Sequence, residues 1–278
     1  MKSALSNRLR LIEGKHNAWV KQLRMGFAHG EVTRSGACAI EGLRIVEEAI
    51  RSGLRFEALF FSESARNKAE RLLPQVGAHV ETLLLPDKLF LGAVPSESPQ
   101  GVAAMVRVKD HSVKDLVARA EQGILMAVAG VQDPGNLGTI FRSGEAFGAG
   151  GILIGENTVN PFNPKVIRAS AGSLFRLPFV RTNLMELQPE LRAHGITLLA
   201  TSSHKGTALS GTNLRGQVAV FIGSEGAGLP RELMAGIDEV IVIPHSRQVE
   251  SLNAGVAASI VLYEAMRQRA GTATVGSS

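Results

Sequence analysis

The stretch Ile124-Leu-Met-Ala-Val-Ala-Gly-Val-Gln-Asp-Pro-Gly-Asn-Leu-Gly-Thr-Ile-Phe-Arg142 decides the fold class. Its first eight residues form an apolar run of strand length, far short of the roughly 20 residues a membrane span needs. Asp133-Pro-Gly-Asn136 is turn chemistry, and from Leu137 the spacing becomes helical, so the stretch reads as strand, tight connection, helix. The alternation continues. Apolar runs at 151–154, 196–201, 218–222 and 240–243 accompany helix-period segments at 137–147 and 165–174, the pattern of a mostly parallel sheet with helices on both faces. The last segment, Asn253 to Arg269, is rich in Ala and carries Val256, Ala257, Ile260, Val261, Tyr263 and Met266 around much of its circumference. Such a helix is sandwiched, in the core or in a subunit contact.

Working upstream, residues 109–122 are polar and charged with a helical turn or more, and they are the candidate linker. Before them lies a small α/β layer domain. It is expected to hold a helix from Ala39 to Gly53, a strand at Glu57 to Ser62 and a helix at Ala65 to Leu73. A strand at His79 to Leu85, a helix at Asp87 to Leu91 and a strand at Gly101 to Val108 complete it. The first 30 residues form a basic arm: Lys2, Arg8, Arg10, Lys15, Lys21, Arg24 and, just beyond, Arg34 face only Glu13 and Glu31. The arm also spaces Leu9, Ile12, Trp19 and Leu23 as a helix does, so a solvated helix face and a phosphate-binding surface are both open readings.

Composition narrows the class further. Of 278 residues, 45% are apolar and 20% charged, which suits a core-forming globular chain and not a disordered one. The net charge of +5 and pI of about 9.7 point to a polyanionic partner. Cys38 is the single cysteine, so no internal disulfide forms, and no signal-peptide core precedes it; a cytoplasmic location is the expectation. The seven His lack ligand spacing, so no metal is expected.

In parallel sheets ligands bind beyond the carboxyl ends of strands. Three unusual loops fall there: Gln132 to Arg142, Gly223-Ser-Glu-Gly-Ala-Gly-Leu-Pro230, and Pro244 to Asn253. The first opens a helix whose free N–H groups, with Arg142, suit phosphate, although a tight connection alone would use the same residues. The second is glycine-rich without matching G-x-G-x-x-G, which disfavours a Rossmann-type oxidoreductase. No P-loop and no G-x-S-x-G elbow occurs, so nucleotide hydrolysis and a serine triad are unsupported.

Asn136-Leu-Gly-Thr-Ile-Phe-Arg142, Phe221-Ile-Gly-Ser-Glu-Gly-Ala-Gly-Leu229, and Ile243-Pro244 with Val249-Glu-Ser-Leu-Asn253 stand in this order. Together they resemble the three motifs of the SpoU (TrmH-like) family of SPOUT RNA 2′-O-ribose methyltransferases. Ala39-Ile-Glu-Gly-Leu-Arg-Ile-Val-Glu-Glu-Ala49 and Ser98-Pro-Gln-Gly-Val102 resemble that family's substrate-binding domain.

The resemblance implies an α/β fold whose C-terminal part is a SPOUT α/β-knot: a mostly parallel sheet with a deep trefoil knot, preceded by a small L30e-like α/β domain. It divides the chain into an arm (1–30), an RNA substrate-binding domain (31–108), a linker (109–122), a catalytic domain (123–270) and a disordered tail (271–278). It implies S-adenosylmethionine (SAM) as cofactor, in a pocket of Thr201, Ser202, Ser203, Ile222, Gly223, Ser224, Gly226, Ile243, Pro244, His245, Ser251 and Leu252. The catalytic set it implies is Asn136, Arg142, Glu225, Ser251 and Asn253, with Arg142 as an orienting cation or a general base. Arg8, Arg10, Lys15, Lys21, Arg34, Arg44, Lys165, Arg168 and Arg176 are the RNA-binding candidates. Where the family commonly has Met, Gly and Val-Ser, this chain has His245, Arg247 and Ala254-Gly255. The expected enzyme is a homodimer methylating large-subunit rRNA. The alternatives are a tRNA substrate, or an RNA-binding protein that kept the fold without catalysis.

Overall fold

Gly42 shows how local chemistry sets the first elements. Its φ of 101° is a backbone state side chains rarely adopt, and it separates a strand from a helix where one helix from Ala39 is expected. Residues Ala37–Glu41 are buried throughout, so the strand has no alternation that would reveal it. The helix starts at Leu43.

The computed structural model describes residues 8–30, 33, 36–94, 96, 99–246 and 248–270. Lys2, Arg34, Ser98, Arg247 and the tail 271–278 lie outside them. Two units emerge: Met1–Lys109 with Asn160–Phe175, and Asp110–Val159 with Arg176–Ser278.

The first unit runs β1 (Arg10–Leu11), α1 (Ala18–His29), β2 (Ala37–Glu41), α2 (Leu43–Arg51), β3 (Arg55–Ser62), α3 (Arg66–Leu72), β4 (Glu81–Leu85), α4 (Asp87–Ala93) and β5 (Val102–Arg107). Its sheet has the order β1-β4-β3-β5-β2, with β5 antiparallel to both neighbours. The basic arm is built into this unit. β1 pairs in parallel with β4, and α1 buries Val20, Leu23 and Phe27 against Phe60, Leu83 and Phe90. Fully burying a side chain of this size is worth about 1.5–3 kcal/mol, enough to fix the arm to the sheet. Residues 160–175, expected within the catalytic domain, also belong here, since Asn160 Nδ2 donates to the Gly30 carbonyl at 3.0 Å.

The second unit holds α5 (Val113–Val117), β6 (Leu125–Val128), α6 (Pro134–Ala146), β7 (Gly151–Ile154), β8 (Phe179–Arg181), α7 (Leu184–Ala193), β9 (Thr197–Ser202), β10 (Thr207–Ala208), β11 (Val218–Ile222), α8 (Arg231–Ala235), β12 (Glu239–Val242) and α9 (Ala254–Ala270). The stretch 109–122, read as linker, is folded into it from Asp110 onward. Ser112 and Asp115 form a capping box on α5, and Leu116 is fully buried in the core. All seven strands are parallel, in the order β10-β12-β9-β11-β6-β7-β8. The register pairs Ile222 with Val128 and Val242 with Ser202, so the carboxyl ends of β6, β9, β11 and β12 carry their loops to one edge of the sheet. No helix among the described residues is long and apolar enough to cross a membrane.

Candidate cofactor and active site

Asp133 caps α6: its carboxylate accepts the Asn136 N–H at 2.8 Å, and Pro134 occupies the first turn, where no N–H is required. This places the Asn136 side chain, 8% exposed, at the edge where the loops meet. The β11 loop is a tight reversal in which Ser224 and Gly228 exchange backbone bonds of 3.2 and 2.9 Å. Gly228 has φ +66°, and a Cβ on Gly223 would come within 2.2 Å of the Gly228 carbonyl carbon, so glycine is required at both positions.

Glu225 sits on this loop and gathers the other two motifs. Its Oε1 accepts Asn136 Nδ2 at 2.7 Å, Asn253 Nδ2 at 2.6 Å and the Ala254 N–H at 3.1 Å. Asn253 Nδ2 also donates to Asn136 Oδ1 at 2.8 Å, while its own Oδ1 accepts the Val256 N–H at 3.1 Å and caps α9. The carboxylate therefore binds a helix N-terminus and two amides, each a charge-assisted contact worth about 1.5–3 kcal/mol. Three loops distant in sequence are locked through one oxygen atom.

This cluster stands between two cavities. The larger, about 420 Å³, is lined by Thr201, Ser202, Ser203, Ile222, Gly223, Ser224, Gly226, Ile243, His245, Ser251 and Leu252, all expected pocket residues. Pro244 is exposed and does not line it. The walls also include Ala227 to Leu229, which lie within the second motif but were not among the expected pocket residues, and His204, Lys205, Met234, Ala254 and Ala257, which lie outside the motifs. His204 and Lys205 directly continue Thr201–Ser203, and that adjacency was the available signal. The second cavity, about 320 Å³, is lined by Gly130 to Asp133 and Asn136, and it shares Ser224 to Ala227 and Ala254 with the first. Glu225 lines both cavities, whereas Asn136 lines only the second.

Arg142 does not join this assembly. It is exposed, lines neither cavity and has no hydrogen-bond or ion-pair partner among the described residues. The reason is helical: six residues beyond Asn136 turn it about 120° away from that side chain on α6.

The cationic candidates divide in the same way. Arg8 donates to the Leu73 and Gly77 carbonyls at 2.9 Å each, Arg10 pairs with Glu81 at 3.0 Å, and Arg176 clasps Glu145 with Nη2 2.9 Å from Oε2. These serve the fold. Lys15, Lys21, Arg44 and Lys165 are exposed without ion-pair partners among the described residues, and Arg168 stands 3.9 Å from the buried Glu41 carboxylate. Among the described residues no group of three or more His, Cys, Asp or Glu could hold a metal ion.

Comparison with known proteins gives two matches to family models: the SpoU rRNA Methylase family over residues 123–263 and the MRM3-like substrate binding domain over 17–104. The chain is 32% identical, over 92% of its length and 98% of the relative's, to the 23S rRNA (guanosine(2553)-2′-O)-methyltransferase RlmP of Bacillus subtilis. Among solved structures, the SpoU methyltransferase AviRb of Streptomyces viridochromogenes in complex with its cofactor AdoMet is 29% identical. It superposes with a TM-score of 0.80 over 92% of this chain and 99% of that one. The AdoMet-bound rRNA methyltransferase of Sinorhizobium meliloti also gives 0.80, at 27% identity over 94% and 98%.

Proposed function

The chain belongs to the SpoU rRNA methylase family, and on that premise we propose that it is a SAM-dependent enzyme that methylates a ribose 2′-hydroxyl of large-subunit rRNA. The observation that carries this reading is the Glu225 hub, which joins all three motifs between two cavities.

The larger cavity fits the cofactor. Its volume is that of a small-molecule site, its floor offers Ile222, Leu229, Ile243 and Leu252 to an aromatic base, and its glycine-rich wall brings backbone groups close to a ligand. Thr201 to Ser203, Gly223, Ser224 and Ser251 would hold its polar edges. When bound, SAM supplies a methyl group already activated by a sulfonium leaving group. The chain's task is therefore alignment and proton management. Asn136, buried and held by Glu225, orients the ribose in the second cavity. Asn253 and Ser251 fix the wall between the ribose and the cofactor. As the 2′-oxygen gains the methyl group, its proton leaves to a substrate phosphate or to water. Arg142 stays a cation, because a guanidinium holds its proton at neutral pH and cannot accept another. It pairs with phosphate and steadies the developing alkoxide.

Because Arg142 points away from its own cavities, it serves the cavity of a second copy. The exposed Val256 and Tyr263 on α9 supply apolar surface for such a homodimer. The first unit, which includes the substrate-binding match, presents the RNA through Lys15, Lys21, Arg44, Lys165 and Arg168. The trefoil knot belongs to the same reading, and the return of β11 between β9 and β6 after β10 is consistent with it.

The test is incubation with radiolabelled SAM and separated rRNA and tRNA pools, followed by alkaline hydrolysis. Alkali-resistant labelled dinucleotides from 23S rRNA, absent in Asn136→Ala, are the expected result. Label in the tRNA pool would redirect the substrate, and RNA binding without any label would leave a non-catalytic binder.

A further inference from the structure

The larger cavity is lined by three basic side chains that the chemistry above does not use. His204 and Lys205, from the loop after β9, and His245, from the loop after β12, all line it. The two imidazole centroids are 6.1 Å apart with their planes inclined by 33°. Lys205 is exposed and has no side-chain partner among the described residues.

His245 Nδ1 lies 2.8 Å from the Ile243 carbonyl oxygen. A carbonyl only accepts, so this nitrogen carries the proton in the neutral ring, and Nε2 becomes a second donor when the ring is protonated. The titratable groups lining the cavity are His204, Lys205, His245 and Glu225, and Glu225 is occupied by Asn136, Asn253 and the Ala254 N–H. Lys205 and the two imidazoles therefore have no carboxylate of their own at the cavity, and an anion seated among them would accept hydrogen bonds from the ammonium and from the ring N–H groups.

We propose that His204, Lys205 and His245 form an anion subsite at the cavity mouth that takes one carboxylate or phosphate group. Two sources offer that chemistry: the carboxylate of the cofactor's amino-acid portion and a phosphate of the RNA. The inference rests on the reading of the cavity as the cofactor site.

The test uses the full-length protein as wild type, Lys205→Ala and the double variant His204→Gln/His245→Gln, with thermal unfolding as the control for folding. Calorimetry measures S-adenosylhomocysteine and its decarboxylated analogue at about pH 6 and about pH 8, on either side of the imidazole range. If the cofactor carboxylate occupies the subsite, Lys205→Ala binds S-adenosylhomocysteine roughly tenfold more weakly, a loss of about 1.4 kcal/mol. The wild type then binds it several-fold more tightly at the lower pH, the double variant loses that preference, and the decarboxylated analogue binds all three proteins alike.

A second arm follows binding of a 23S rRNA transcript as salt is raised. If phosphate is the occupant, nucleoside affinities stay unchanged and the salt slope of Lys205→Ala drops by about 0.7–0.9, the share of one neutralised phosphate. The subsite is refuted if neither arm changes, or if both nucleosides weaken equally in the variants, which would mean a general disturbance of the cavity. A wild type that binds no S-adenosylhomocysteine defeats the cofactor reading itself, and the subsite with it.

Discussion

Asn136 is the residue on which the site turns, because its amide is both donor to Glu225 and acceptor from Asn253 while nearly excluded from water. Removing it leaves Oε1 of Glu225 short of a partner, at about 1.5–3 kcal/mol, so turnover in Asn136→Ala is expected to fall at least ten- to a hundredfold in the radiolabel assay. Gly223→Ala tests a different property. Its Cβ would collide with the Gly228 backbone, so the loop that carries Glu225 must reshape; we expect calorimetry to show loss of cofactor affinity together with a lowered melting temperature. The lining of the larger cavity was legible through the motif resemblance, since nearly every residue that it implied for the pocket lines that cavity. The displacement of Arg142 was not, because a motif records spacing along a chain but not which face of the helix turns toward the cavities. The arginines of the fold were equally hidden: Arg8 looks the same in sequence whether it meets phosphate or the Leu73 and Gly77 carbonyls.

Among the elements, α9 is the one whose two ends do different work. Its first turn is capped by Asn253 and held by Glu225, whereas its last turn is clasped by the loop 212–216. The buried Gln268 accepts the Leu214 N–H and donates to the Thr212 carbonyl, both at 2.9 Å, and Arg269 Nη2 donates to the Gly216 carbonyl at 2.6 Å. Glu264 joins this end through paired 2.7 Å bonds to Arg267, which with the Gln268 amide lower its pKa from 4.5 to about 2. A carboxylate with a lowered folded-state pKa adds stability above the unfolded value, and that stability disappears as pH falls from about 4.5 toward 2. Acid unfolding of Glu264→Gln should thus show a shallower decline over this window than the wild type, measured as the denaturation midpoint against pH. Element reading from sequence was sound where apolar runs were long, as at Val218–Ile222, and failed at β8 and α7, where the strand has three residues and Pro189 interrupts the helical pattern.

At the scale of the whole molecule, two predictions separate the units' roles. Replacing Lys21, Arg44 and Lys165 together by Ala should reduce the salt slope of RNA binding by about 0.7 to 0.9 for each phosphate that is no longer neutralised, with cofactor affinity unaffected. In a two-fold dimer that uses Arg142 across its interface, mixing inactive Arg142→Ala with inactive Asn253→Ala should restore up to about a quarter of wild-type turnover, since random pairing gives half mixed dimers with one sound site each. No recovery would place Arg142 in its own chain's site. The domain plan was legible as two α/β parts, but the sequence hid that residues 160–175 join the first unit, because membership depends on pairings such as Asn160 with Gly30 rather than on chain order. One bond has a consequence in time. Glu225 waits for the N–H of Ala254, which is the last of its partners to be synthesised. A nascent chain carries the first two motifs well before it can close the hub, so the three loops stay unjoined until α9 begins to form.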